Sequence, residues 1–325
     1  MRYSYFQRLE FFKFFIGESD LINRKFCVFM FKQLFLIQAH TDAKFLFSLV
    51  SQLDSINHYF AIHIDKKSKS LLNSPFIKEL SSHDNILIIS NHVINWGGAN
   101  QFFATLDLIE DSIAKWPDIE YFHLISGQDF PTKNNKQLDD FFYKFKTSNF
   151  MALAPTPQLK YRYDIYYPRD IINTRKCSSI IRLIVNSTIF FQQKLLDLGI
   201  RLRQKISLPI FKGSNWWSLN REAINYIISF TINNPNFKSR FKYTNCCDEI
   251  FFQTILFNSY LKDTIIAKNL RYIDWTDNGR GFPNVLDESD YPKIIQDDSF
   301  FCRKVISGRS DKLIELLKKK QSQWQ

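Results

Sequence analysis

Long, nearly continuous apolar runs mark the first half of the sequence and limit the folds open to it. KQLFLIQAH (32–40), HYFAIHID (58–65) and YFHLIS (121–126) have the length of strands and are apolar at consecutive positions. Strands of this kind are covered on both faces, as in parallel sheets. Segments 42–53 and 97–116, which lie between the runs, have helical spacing. The alternation predicts an α/β fold with a mostly parallel central sheet flanked by helices.

In a sheet of this type, ligands bind beyond the carboxyl ends of the strands. Four polar stretches follow predicted strands and therefore direct attention to that edge. They are QAH (38–40), HIDKKS (63–68), SNHVINWGG (90–98) and SGQDFPTK (126–133).

The domain organisation is predicted to be simple. No low-complexity linker or internal repeat divides the 325 residues, which indicates one catalytic domain from residue 30 and an N-terminal extension over residues 1–29. LEFFKFFIG (9–17) in the extension is either a helix lying on an anionic membrane or a helix packed on the body. Five cysteines without a CxxC pattern are interpreted as reduced thiols.

The net charge of +11 suits an anionic partner, such as nucleotide phosphates or a membrane surface. Nucleic acid is not an expected partner, because the sequence has no RNA- or DNA-binding signature. No apolar run of 18 or more residues is present, so no membrane-spanning helix is expected.

The stretch NCCDEIFFQTIL (245–256) pairs two carboxylates, Asp248 and Glu249, with an apolar run. The run is apolar on most faces, which predicts a buried helix with both acids in its first turn. The helix dipole favours acids at that position, so capping alone is one explanation for Glu249. Proton transfer at the edge of the core is the other.

Seven blocks, in this order, resemble the core-2/I-branching β-1,6-N-acetylglucosaminyltransferase family, which includes the peptide O-xylosyltransferases. The resemblance covers roughly residues 33–305. It implies a GT-A-type fold, a UDP-sugar donor, inversion at the anomeric carbon and catalysis without a divalent metal or other cofactor. The blocks are HIDKKS, WGGANQFFATL, YFHLISGQDFPTK, GSNWWSLNRE, DEIFFQTIL, RYIDW and SFFCRK.

The implied lack of a metal fits the absence of any Asp-x-Asp motif from the sequence. Without a metal, Arg or Lys side chains must balance the charge of the donor pyrophosphate. The resemblance assigns this role to Lys304 and Arg280, and the neighbouring Arg303 is expected to share it.

An inverting transfer also needs a general base that takes the proton from the acceptor hydroxyl. The resemblance assigns this role to Glu249, and partial burial is expected to raise the pKa of such a carboxyl toward the working pH. Asp248 fits the capping interpretation better, because one base suffices.

The resemblance places Asp65 against the nucleoside, in a pocket also lined by Gln38, Ala39 and His40. Trp96 either stacks on the nucleotide or belongs to the core, and Asp129 either contacts the sugar or fixes its own loop. Predicted acceptor contacts, each Trp having core packing as its alternative, are Lys160, Arg162, Trp216, Trp217 and Trp275.

GlcNAc is the first choice of transferred sugar, with xylose or another UDP-hexose as alternatives, and a non-catalytic carbohydrate-binding relative is a rival class. The anchor, stem and lumenal disulfides of eukaryotic family members find no counterpart in the sequence. A bacterial-type cytoplasmic enzyme of surface polysaccharide or lipooligosaccharide synthesis is therefore expected, peripheral at the inner face of the membrane, with a glycan or glycolipid acceptor.

The missing Asp-x-Asp motif generates a first prediction. Sugar transfer, followed as UDP release, should persist in excess EDTA, because basic side chains rather than a metal are expected to hold the pyrophosphate. Complete loss of transfer on chelation, with recovery on addition of Mn²⁺, would contradict the metal-independent mechanism.

Overall fold

A seven-stranded, mostly parallel sheet lies at the centre of the molecule, in a computed structural model that describes residues 31–154, 159–276 and 282–323. The predicted extension, residues 1–29, lies outside the described residues. The strands are β1 (Gln33–Ala39), β2 (His58–Ile64), β3 (Ile86–Ile89), β4 (Tyr121–Ser126), β5 (Phe130–Pro131), β6 (Asn149–Leu153), β7 (Gly213–Asn220), β8 (Ile265–Ile266), β9 (Arg271–Ile273) and β10 (Phe301–Arg303).

Helices cover both faces of this sheet, and others pack outside it. In chain order the helices of the described residues are α1 (Ala43–Leu53), α2 (Lys69–Leu72), α3 (Pro75–Leu80), α4 (Asn100–Lys115), α5 (Asn135–Lys144), α6 (Lys160–Tyr163), α7 (Ser179–Asp197), α8 (Arg221–Asn233), α9 (Pro235–Arg240), α10 (Phe251–Phe257), α11 (Tyr291–Gln296) and α12 (Asp311–Ser322). No helix in the described ranges combines the length and the apolar character that crossing a membrane requires.

The order of the strands in the central sheet is β3-β2-β1-β4-β7-β6-β8. Strands β1 to β4 are parallel, whereas β7 runs antiparallel between β4 and β6. A smaller sheet has the order β5-β10-β9. The predicted α/β class, with a mostly parallel sheet between helices, is confirmed.

Two hydrophobic clusters explain why the central strands are apolar at consecutive positions. Leu34 and Leu36 of β1 pack in the cluster on one face, whereas Phe35 and Ile37 pack in the cluster on the other. Alternate side chains of a strand point to opposite faces. Since both faces are covered, the central positions of β1, residues 34–37, are all apolar, and the sequence run follows from this packing.

The reversed direction of β7 matters for the site. Because β7 is antiparallel to β4, its first residue, Gly213, lies at the same edge as the carboxyl ends of β4 and β6. The amide of Ala154, after β6, donates to the carbonyl of Lys212 at 2.9 Å. Lys212 is thereby placed at the edge where ligands bind in α/β sheets.

Arg271 joins the two sheets. It begins β9 of the small sheet, and its buried guanidinium donates to the carbonyls of Leu124 in β4 and Trp217 in β7, both at 3.0 Å. It also donates to the hydroxyl of Ser218 at 3.0 Å and to the carbonyl of Asn269. Burial lowers the pKa of Arg271 to about 9. The bonds offset the loss of solvation of this buried group.

Replacing Arg271 by Lys should therefore destabilise the protein. An ammonium cannot reach the carbonyls of two strands and a hydroxyl with the geometry of the guanidinium fork. At roughly 1 kcal/mol for each lost bond, with further loss for acceptors left unpaired, unfolding should become easier by about 2–4 kcal/mol. Urea denaturation measures this change.

Arg309→Lys is the matched control, since Arg309 is exposed and lies 3.6 Å from Asp287. It should change the free energy of unfolding by less than about 1 kcal/mol. A similarly small effect of Arg271→Lys would show that Arg271 does not hold the sheets together.

Candidate active site

Glu249 lies in a 3₁₀ turn, Cys247–Glu249, and not in the first turn of an α-helix as the sequence predicts. Its amide donates to the carbonyl of Cys246 at 3.2 Å, and Cys246 has a left-handed backbone conformation with φ of 49°. The α-helix, α10, begins only at Phe251. The predicted buried helix is thus confirmed but begins later, and the acids lie in the turn that leads into it.

The carboxylate of Glu249 is held through one of its oxygens. Arg162 donates to Oε2 at 2.7 Å, and the ammonium of Lys212 lies 3.3 Å from the same atom. Within the described residues, Oε1 has neither a hydrogen-bond nor an ion-pair partner. The side chain is 31% exposed. Glu249 is therefore fixed in direction while one oxygen stays open to a ligand.

Asp248, the neighbouring acid, is buried. Burial, with a smaller contribution from the charge of Glu249, raises the pKa of the Asp248 carboxyl to about 7, although backbone amides and Arg162 oppose the rise. Helix α10 has no side-chain cap, so its start gains no cap from Asp248. The predicted capping role of Asp248 was therefore wrong, and the raised pKa occurs at Asp248 although it was predicted for Glu249.

The loop with Trp96, Gly97 and Gly98 is joined to this turn. The amide of Cys246 donates to the carbonyl of Gly97 at 2.9 Å. A Cβ on Gly98 would lie 2.2 Å from Oδ1 of Asp170, whose carboxylate accepts the amide of Ala99 at 2.9 Å. Glycine is therefore required at position 98, because Asp170 packs against its backbone at the start of α4.

Aromatic and cationic side chains cluster beside this loop. The guanidinium of Arg175 lies 3.9 Å from the ring centroid of Trp96 and 4.6 Å from that of Phe282. The ammonium of Lys304 is 5.9 Å from the Phe282 centroid. Burial, Arg303 and Arg175 all lower the pKa of Lys304. Because these neighbouring cations repel one another, an anion bound between them would be stabilised.

His40 and Asp65 lie close to the same cations. Desolvation lowers the pKa of His40, the charge of Asp65 opposes this, and Lys304 lowers it further. Asp65 accepts the amides of Lys67 at 3.0 Å and Ile94 at 3.2 Å, so its carboxylate also fixes the two loops. The structure thus brings His40, Asp65 and Lys304 together, as the prediction of a nucleotide pocket requires.

Gln38 and Ala39 have contacts within the fold. The amide of Gln38 donates to the carbonyl of Gln101 at 3.0 Å and to the hydroxyl of Thr105 at 2.7 Å. Ala39 is buried, and a Cβ on Gly127 would lie 3.2 Å from its methyl group. These contacts connect β1 to α4 and to the turn after β4, so both residues shape the strand end.

Asp129 and Arg303 form a buried ion pair, with 3.1 Å between Oδ1 and Nη1. The Asp129 carboxylate also accepts the amide of Ser126 at 2.8 Å and its hydroxyl at 3.1 Å. Of the two predicted roles for Asp129, the structure supports loop fixing, and the predicted sugar contact is corrected because no part of the side chain is exposed. Arg303 neutralises Asp129, so Lys304 is the more accessible cation.

The predicted acceptor residues separate into different environments. Trp217 is fully buried in the core, so the prediction that it contacts the acceptor was wrong. Trp216 is only partly buried against the same cluster, and its ring centroid lies 4.1 Å from the Arg303 guanidinium. Lys160 pairs with Asp197 at 3.0 Å and not with the carboxylate of Glu249.

Trp275 lies two residues after β9 and is exposed, and Arg162 contacts Glu249 directly. Arg280 falls outside the described residues, and its predicted contact with the pyrophosphate stays a prediction. In the described ranges, no three His, Cys, Asp or Glu side chains form a group that could hold a metal ion.

Sequence reasoning missed Lys212, Arg175 and Asp170. Lys212 immediately precedes the GSNWW block (213–217). Asp170 ends the polar segment KYRYDIYYPRD (160–170), which contains Arg162. These positions were the available signals for Lys212 and Asp170, whereas Arg175 lies in neither segment. The role of each depends on contacts across long sequence distances, which no local pattern records.

The sequence matches the family model described as Core-2/I-Branching enzyme over residues 34–295. A xylosyltransferase of Ciona intestinalis is 27% identical over 227 residues, 67% of this chain and 24% of that protein. Xylosyltransferase 1 of Rattus norvegicus is 27% identical over 224 residues, 67% of this chain and 25% of that protein. Xylosyltransferase 2 of Homo sapiens is 25% identical over 283 residues, 80% of this chain and 30% of that protein.

Among solved structures, the apo form of mouse Xyloside xylosyltransferase 1 aligns with a TM-score of 0.35 and 13% identity, covering 84% of this chain and 96% of that chain. The chain spans about a quarter of the length of the curated relatives it matches.

The mostly parallel sheet between helices agrees with the GT-A-type fold that the sequence predicts. Because the family match covers most of its length, the chain belongs to the Core-2/I-Branching enzyme family, which is a family of glycosyltransferases.

The raised pKa of Asp248 generates a prediction about stability. In the unfolded chain its carboxyl loses its proton near pH 4, whereas the folded protein keeps the proton to about pH 7. Between these values the folded state binds more protons, so this residue makes the protein less stable as the pH rises. Asp248→Asn should remove this loss, which amounts to at most about 4 kcal/mol.

Urea denaturation at pH 5 and pH 8 tests this prediction. The gain in stability of Asp248→Asn over wild type should be larger at pH 8. Asp298→Asn, at an exposed acid, should show little change with pH. An equal effect of Asp248→Asn at both values would contradict the raised pKa.

Proposed function

We propose that the protein is an inverting, metal-independent glycosyltransferase that moves a sugar from a UDP-sugar to a hydroxyl of a glycan acceptor. The observation that carries the proposal is the setting of Glu249. One carboxylate oxygen is held by Arg162 and Lys212, and the other is open to a ligand. The turn that bears Glu249 is hydrogen-bonded to the loop with Trp96, beside the Lys304 cluster.

In this proposal Glu249 is the general base. The acceptor hydroxyl donates its hydrogen bond to Oε1, and the proton moves to that atom as the hydroxyl oxygen attacks the anomeric carbon. Arg162 and Lys212 keep the carboxylate in one orientation, so little reorganisation is needed at the moment of reaction. The attack on one face of the sugar and departure of UDP from the other give inversion.

The Lys304 cluster is the proposed site of the donor pyrophosphate. The leaving UDP gains negative charge as the glycosidic bond breaks, and fixed cations stabilise this charge. Burial and the charges of Arg303 and Arg175 lower the pKa of Lys304, and burial and the charge of Arg169 lower the pKa of Arg175. A bound pyrophosphate would offset this repulsion between cations. Trp96 offers an aromatic surface beside them, and Asp65 and His40 lie at the nucleoside end of the proposed pocket.

The identity of the sugar is proposed in two alternatives. GlcNAc is the choice indicated by the family pattern, whereas the names of the similar curated proteins favour xylose. Turnover measured with UDP-GlcNAc, UDP-xylose, UDP-glucose and UDP-galactose distinguishes them. The proposed acceptor remains a glycan or glycolipid of bacterial surface polysaccharide or lipooligosaccharide synthesis, at the cytoplasmic side of the membrane.

Glu249→Gln should abolish most transfer while leaving UDP affinity nearly unchanged. The amide keeps the shape of the side chain and an oxygen for Arg162, but it cannot accept a proton. Loss of a general base lowers kcat by about 10²–10⁴-fold. Steady-state kinetics with the best donor, together with UDP titration by calorimetry, measures both quantities.

Two further variants complete the test. Lys304→Ala should weaken UDP binding by roughly tenfold to a hundredfold, since it removes a charge-assisted contact to phosphate. Glu288→Gln, at an acid that pairs with Lys312 on the surface, should leave both quantities unchanged. If Glu249→Gln retains more than half of the activity, Glu249 is not the base. UDP binding without turnover of any donor would favour the non-catalytic relative.

A further inference from the structure

Helix α7 exposes several of its apolar side chains to solvent. Five of them are between 59% and 72% exposed. Their separations of three, four and seven residues place them in one stripe along about 16 Å of the helix. They are Ile180, Leu183, Ile184, Phe190 and Phe191.

The opposite side of α7 is attached to the body. Val185 and Leu196 are buried there, and Ile189 packs against a small cluster that contains Ile165 and Tyr167. Gln192 accepts the amide of Tyr166 at 2.7 Å and donates to its carbonyl at 3.1 Å. These contacts fix the rotation of the helix about its axis, so the apolar stripe is held facing outward.

The segment around α7 is rich in basic residues. Residues 171–208 contain seven Lys or Arg and one acid, Asp197. Arg203 is buried and Arg201 pairs with Asp164, so the other basic residues supply the surface charge. Lys176, just before the helix, and Lys194, on the same side as the stripe, are exposed. Arg182 is also exposed, but it lies on the other side of the helix and donates to the carbonyls of Thr174 and Cys177. An exposed apolar stripe bordered by cations is the pattern of a helix that lies in the interface of an anionic membrane.

Other occupants fit this surface less well. A second copy of the chain would bring the same positive charge against itself, which opposes association. A glycan offers no apolar surface that matches a stripe of Leu, Ile and Phe side chains. An anionic bilayer supplies both the hydrocarbon and the negative charge.

We propose that the outward face of α7 docks the protein on an anionic membrane surface. The five apolar side chains enter the boundary between headgroups and acyl chains, and the neighbouring cations contact the lipid phosphates. Docking does not depend on sugar transfer. It would, however, place the site near a membrane, because Arg162 and Lys160 share α6 and Lys160 pairs with Asp197 at the end of α7.

Vesicle flotation of the full chain tests this proposal. Wild-type protein should float with vesicles of phosphatidylcholine containing phosphatidylglycerol, and much less with phosphatidylcholine alone. The variant Leu183→Gln/Phe190→Gln/Phe191→Gln should bind anionic vesicles about tenfold or more weakly. Ile56→Gln/Ile232→Gln, which changes exposed apolar residues elsewhere, should bind like wild type. Lys176→Gln/Lys194→Gln should weaken binding to anionic vesicles only.

Circular dichroism and UDP binding of each variant establish that it is folded. If the α7 variant binds vesicles as tightly as wild type, another surface, such as residues 1–30, docks the protein and the proposal is overturned. The proposal also fails if wild type does not bind vesicles. Concentration-dependent dimers that the α7 variant abolishes would then identify a protein interface.

Discussion

The buried guanidinium of Arg271 is the interaction on which the arrangement of the site depends. It connects carbonyls of β4 and β7 in the large sheet to the start of β9 in the small one. Strand β10 pairs with β9 and ends at Arg303, immediately before Lys304. The position of Lys304 relative to the main sheet is therefore set by a buried cation whose loss of hydration is offset only by well-oriented acceptors.

A second constraint is the reversal of β7. A fully parallel sheet would place the start of this strand at the far edge, away from the carboxyl ends of its neighbours. The antiparallel direction instead delivers Lys212 to the ligand edge, where it lies 3.3 Å from Glu249. Arg162, from α6, approaches the same oxygen. The two cations that orient Glu249 thus come from segments that are distant in sequence and adjacent only through the topology.

The differences between prediction and structure concern contacts between such segments. Trp216 and Trp217 are equivalent in the sequence, but Trp216 is only partly buried, beside Arg303, whereas Trp217 is buried in the core. The sequence left two roles open for Asp129, contact with the sugar or fixing of its own loop. Its buried ion pair with Arg303 supports the second role. A raised pKa was predicted for Glu249, whereas in the structure burial raises the pKa of its neighbour Asp248 to about 7.

The sequence by itself determined the α/β class, since apolar residues at consecutive positions of β1 and β4 are compatible with a sheet covered on both faces. It also determined the family, and with it the candidates Glu249 and Lys304. Only the tertiary structure decided which cations hold Glu249, that Trp217 is buried, and that the apolar stripe of α7 faces outward. The physical reason is that the spacing of apolar residues shows which side chains of one element are suited to burial. Which of them are covered, and which charges pair, depends on the segments that the fold packs against that element.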